Sequence, residues 1–148
     1  MGGRGAYTEG KQQSYIYETV DKIEGVKVLA PINKKDSHSM PAEAHSSESY
    51  IVLDKKNGIF RQYREFDKGH LPTLEIGYHV ESGLSEKGEN VFHIHEYAKP
   101  GIENRQKGRL MTPNEVFKYK KFFKGISQKQ IEDYISYYRR IKKWMENQ

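Results

Sequence analysis

Cysteine is absent from this 148-residue chain, tryptophan occurs once and proline five times. Without a thiol there are no disulfide frameworks, thiolate zinc sites, iron–sulfur clusters or cysteine nucleophiles. No apolar stretch approaches the roughly 18 residues of a membrane span. The N-terminus also lacks the basic region, apolar core and cleavage site of a secretory signal. The expectation is a soluble, cytoplasmic protein with no membrane partner. The length suits one domain, and a domain of this size buries roughly 68 to 70% of its unfolded surface, enough for a core without covalent staples.

Acidic charge is scarce in one region only. Residues 1–98 hold 12 Lys plus Arg and 15 Asp plus Glu, whereas residues 99–148 hold 13 and 5. The last third is therefore basic, net +8 within an overall +5. Such asymmetry fits a polyanionic partner, RNA or another nucleic acid. It also fits a solvated helical face.

Apolar residues are nearly missing from residues 1–13, where Gly2, Gly3, Gly5 and Gly10 surround Arg4 and Glu9. This reads as a flexible tail ahead of a single domain over 14–148. Ser14 can cap a short N-terminal helix in which Ile16, Val20 and Ile23 recur at helical spacing and which Gly25 ends. Val26 to Ala30 reads as a short strand, and 31–49 as a long Ser- and Pro-rich loop carrying His38 and His45. Tyr50 to Asp54, Ile59 to Phe66, Thr73 to Val80 and Val91 to Tyr97 alternate as strands, with Asn57-Gly58 as a hairpin signal. Thr112-Pro113-Asn114-Glu115 and Ser127 with Gln130 are capping boxes opening two C-terminal helices. The fold class expected is α+β: a four-stranded antiparallel meander with an N-terminal helix and two C-terminal helices.

The sharpest local feature is Val91-Phe92-His93-Ile94-His95-Glu96-Tyr97. Alternation places Phe92 and Ile94 on the buried face, and His93, His95 and Tyr97 on the other, solvent-facing one. If the preceding hairpin closes around Ser85 and Glu86, His79 pairs near 92 or 93 and joins them. Imidazoles titrating near neutrality suit acid–base catalysis. A His-x-His plus a third histidine equally suits a divalent metal, and a polar sheet face with no chemistry suits the same pattern. Arg105, Lys107 and Arg109 precede the helix opened by Thr112, and guanidinium groups beside a helix N-terminus form an anion site. Arg61, Tyr63 and Arg64 read as cross-strand partners of Glu65, Glu75 or Asp67.

The Gly2-Gly3-Arg4-Gly5 start resembles that of small phage and mobile-element proteins. The segment from Tyr50 through Phe123 resembles the phage-type branch of the barnase, EndoU, colicin and RelE superfamily of nuclease-like domains. The carriers are Asn57-Gly58, Ile76 with Tyr78-His79, Phe92 to Tyr97, Gly108-Arg109, and Leu110 with Thr112 and Glu115. The resemblance implies a toxin-like, metal-independent ribonuclease without cofactors, in which the 2′-OH attacks the adjacent phosphate. It implies His79, His93, His95, Arg109 and Thr112 as the catalytic set; the basic segment itself points to Arg105, Lys107 and Arg109 as the nucleic-acid contacts. A phage or immunity protein is the implied protein partner. EndoU-like members use two histidines and a lysine; no lysine here is assignable, so Arg105 or Arg109 has to substitute. The alternatives are a non-catalytic nucleic-acid- or protein-binding module and a histidine-rich metal-binding protein.

Overall fold

The computed structural model describes residues 6–7, 17–36, 38–44 and 47–147. Most of the 1–13 tail, the Ser14 cap, Ile16 and His45 lie outside the described residues. A small sheet pairs β1 (Ala6–Tyr7) with β4 (Glu43–Ala44). The main sheet has seven strands: β2 (Tyr17–Ile23), β3 (Val26–Pro31), β5 (Ser49–Leu53), β6 (Phe60–Phe66), β7 (Pro72–His79), β8 (Val91–Glu96) and β9 (Arg109–Leu110). They lie side by side in that order, all antiparallel except the parallel pair β3 and β5. Two helices follow, α1 (Pro113–Tyr119) and α2 (Gln128–Glu146).

The chain is α+β, but two expectations are corrected. The sheet is seven-stranded and mixed, not a four-stranded antiparallel meander, and no N-terminal helix occurs among the described residues. Tyr17 to Ile23 forms a strand because Glu24 and Gly25, at φ 49° and 79°, make a two-residue turn with both positions left-handed. That turn returns the chain as β3, whose Val28 and Leu29 are buried, and a helix over 17–23 would leave that sheet edge unpaired. Parallel pairing of β3 with β5 needs a crossover, and the segment read as a loop is that crossover, with β4 inside it. At Asn57-Gly58 only Gly58 has positive φ, and the Asp54 carboxylate accepts from the Lys56 and Asn57 amides, so the turn is longer than a two-residue hairpin.

Across the sheet, Val28, Ile51, Tyr63, Ile76 and Ile94 lie in one paired row. This face packs against the helices through Val116, Phe122, Phe123, Ile131, Tyr134 and Ile135 in one buried cluster. Both capping boxes form, with Thr112 Oγ1 accepting from Glu115 N and Ser127 Oγ from Gln130 N. The next row, Lys27, Tyr50, Arg64, Glu75 and His95, belongs to the opposite face. That face is covered too. Tyr17, Leu29, Ala44, Tyr50 and Phe66 form a second small core there, and Arg64 donates to the Pro41 carbonyl of the crossover. No helix among the described residues is long and apolar enough to cross a membrane.

Candidate metal centre

His93 and His95 sit on that second face and are buried, 0% and 7% exposed, so the solvent-facing histidine patch is corrected. Cover comes from the strand pairing and from the chain around Gln106 and Gly108. A β-carbon at Gly108 would stand 2.8 Å from His95 Cε1, so this stretch approaches the ring closely only because the residue is glycine. Position 77 is similar: a β-carbon there would lie 2.8 Å from His93 Nε2 and 3.1 Å from His79 Nε2. In register, Gly77 pairs with His93, and His79 pairs with Val91, one residue from the expected partner. His79 is therefore the diagonal neighbour of His93. Their ring centroids are 4.5 Å apart, edge to face, and those of His93 and His95 are 5.5 Å apart.

Each ring spends Nδ1 on a backbone carbonyl: His79 on Val80, His93 on Val91, His95 on Gln106, at 2.8, 3.0 and 2.9 Å. A neutral ring that donates from Nδ1 keeps a bare Nε2 lone pair. Glu81 Oε2 lies 3.1 Å from His93 Nε2 and 3.3 Å from His95 Nε2, and the second contact is a hydrogen bond in which the His95 N–H donates to the carboxylate. At His93 the oxygen stands within reach but out of line, and Nε2 has no hydrogen-bond partner. Burial pushes the His93 imidazolium pKa down to about 4, against the opposing pull of Glu81, so the ring is neutral at physiological pH. A carboxylate oxygen facing a bare imidazole nitrogen is repulsive unless a cation lies between them. The donor atoms of His79, Glu81 and His93 all lie within 4.8 Å of one another. Ligands about 2.0–2.1 Å from a tetrahedral zinc are separated by roughly 3.3 Å, close to the 3.1 Å between Glu81 Oε2 and His93 Nε2.

Glu81 is a ligand-type residue that the sequence reading passed over, although His79-Val80-Glu81 places it two residues from a histidine already singled out. The loop after β7 fixes it: Glu81 N donates to Ser85 Oγ, and its carbonyl accepts from Leu84 N and Ser85 N. Next to the histidines, Glu75 is fully buried between Arg64 and Arg105. Burial raises its pKa, but the two guanidinium groups outweigh that and hold it below the ordinary carboxylate range.

The remaining expected site residues are placed elsewhere. Arg109 pairs with Ile94, and its guanidinium is held by Glu96 and Glu115, on the helix side of the sheet. Thr112 is the cap of α1. Arg105 faces the histidine side, with its guanidinium on Glu75 at 2.8 Å, and Lys107 is exposed beside Gly108. His79, His93 and His95 are thus brought together, and Arg109 and Thr112 are not brought to them. Comparison of the chain with known protein families, curated proteins and solved structures finds no match.

Proposed function

We propose that the protein binds a divalent transition metal through His79 Nε2, Glu81 and His93 Nε2, with a fourth position left for water. The observation that carries this reading is the fully buried His93 Nε2, bare and without a hydrogen-bond partner, pointing among two further ligand-type groups. Carbonyl acceptors on the Nδ1 of His79 and His93 fix the tautomer a ligand needs, and His95 Nε2 donates to the Glu81 carboxylate from the side. Two imidazoles and a carboxylate form a ligand set that leaves one position open, at which a divalent metal lowers the pKa of bound water. Hydrolysis is the chemistry such a centre serves. The +8 surface of residues 99–148 favours a phosphodiester, RNA above all, as the polyanionic substrate.

A second reading keeps the nuclease-like resemblance: metal-free RNA cleavage by proton transfer among His79, His93 and His95. The half-buried His79 edge-on to His93 favours it, since one ring reaches solvent. One experiment separates the two. Chelator-treated protein titrated with Zn²⁺ or Co²⁺ is expected to bind one equivalent, with Co²⁺ showing tetrahedral absorption bands, and His93→Gln is expected to bind none. His95→Gln should weaken the affinity by about 10- to 100-fold. Labelled RNA is then incubated with metal-free and metal-loaded protein. Cleavage that survives the chelator and is lost in His93→Gln would establish the metal-free mechanism instead.

A further inference from the structure

A well-formed cavity opens away from the histidines. It lies across the 107–110 stretch from them, between the loop after Glu81, strand β9 and the end of α2, with a volume of about 690 Å³. This is within the roughly 300 to 1,000 Å³ of small-molecule sites. Its floor is aliphatic and aromatic, from Leu84, Leu110, Tyr138 and Ile141, and Lys107 and Lys142 stand on its rim. Neither ammonium group has a carboxylate partner among the described residues; Lys142 lies 5.9 Å from the centre of the Tyr138 ring. The wall is held in place, because Tyr137 Oη donates to the Leu84 carbonyl and Arg140 pairs with Glu86 at 3.0 Å.

We infer that this cavity binds a single-chain anionic amphiphile, an alkyl or acyl chain bearing a phosphate or carboxylate. The head lies at Lys107 and Lys142 and the chain lies over Leu110, Tyr138 and Ile141. The apolar floor offers little to a heterocycle that needs hydrogen bonds, and the rim has two cationic side chains without a carboxylate partner, Lys107 and Lys142, against Glu146 alone, the Arg109 charge being taken up by Glu96 and Glu115. A preformed wall lowers the ordering cost of binding. The site is independent of the metal centre, from which Gly108 and its neighbours separate it.

The test uses the full chain after chelator treatment, so that failure of the metal reading leaves it intact. Decyl phosphate, below its micellar concentration, is titrated by calorimetry and by the emission of Trp144, the single tryptophan of the chain. Saturation at one molecule per chain is expected, with decanol and inorganic phosphate each weaker by about tenfold or more. Lys107→Glu with Lys142→Glu, both at exposed positions, should weaken decyl phosphate by about tenfold, and so should Met145→Glu at a lining residue that is 62% exposed. All should keep the wild-type circular dichroism. Non-saturating titration, equal affinity for decanol, or indifference to the charge reversal would each overturn the proposal. Binding to anionic vesicles with none to monomeric decyl phosphate would overturn it too.

Discussion

At Gly77 the missing side chain is what lets two imidazoles converge. An added β-carbon falls 2.8 Å from His93 Nε2 and 3.1 Å from His79 Nε2, in the space between the donor atoms. Gly77→Ala should therefore lower metal affinity by about tenfold or more, while overpacking costs about 1–3 kcal/mol of stability. Chelator competition measures the first and urea unfolding the second; unchanged metal affinity would remove the proposed ligand pair. His93 adds a pH dependence to the metal-free protein. Its ring stays neutral in the fold down to about 4, whereas in the unfolded chain it takes a proton near its ordinary 6.5. Between these values the unfolded state binds more protons, so stability falls as pH drops from 6.5 to 4 and is independent of this group above 6.5. The loss is on the order of 3 kcal/mol for a ring with no exposed surface. Urea melts at pH 4.5 and 6.5 should show this slope in the wild type and a flatter one in His93→Gln.

Elements explain which residues serve the fold instead. Thr112 and Glu115 close the start of α1, and Arg109 clamps the same carboxylate, which holds the Glu115 pKa down to about 2. Thr112→Ala should cost about 1 kcal/mol of stability and leave metal binding unchanged. A loss of metal affinity in that variant would mean that Thr112 belongs to the site after all. The helix starts were legible because capping is local chemistry, written within four consecutive residues. The strands around the hairpins were legible for the same reason, through alternation. Residues 17–23 were not: Val20 is 54% exposed, and the three apolar residues at helical spacing are equally compatible with a strand whose pairing is decided by Glu24 and Gly25. The parallel pairing of β3 with β5 leaves no local mark, since its register depends on a crossover. Burial of the histidine face was likewise invisible, because Gln106 and Gly108 reach it from the segment beyond the strand. The three histidines themselves were found by strand periodicity, and Glu81 would have been found by extending the same ligand spacing one step along the chain.

For the molecule as a whole, the two faces of the sheet divide the work: one is packed by helices, and the other holds the ladder from Arg64 and Glu75 to the histidines. The +8 of the last third lies on the helix-bearing part of the chain, and a share of it is already neutralised. Lys124 pairs with Asp21, Lys129 with Asp133, Arg140 with Glu86, and Arg109 with Glu96 and Glu115. Arg139 and Lys143 are one helical turn apart on α2, are exposed, and take part in no ion pair among the described residues. A nucleic acid drawn to this surface would find those two charges uncommitted, whereas Arg109 would have to surrender two carboxylates to reach a phosphate. RNA binding is therefore expected at low ionic strength, with the logarithm of affinity falling linearly with the logarithm of salt. Arg139→Glu with Lys143→Glu should weaken binding and reduce that slope by about two, while Arg109→Ala should change neither appreciably. Filter binding of a labelled oligonucleotide from about 20 to 200 mM salt measures both quantities in the range where counterion release dominates. Binding indifferent to salt would remove the phosphate contact altogether, and binding abolished by Arg109→Ala alone would return it to the segment before α1 and away from the open face of α2.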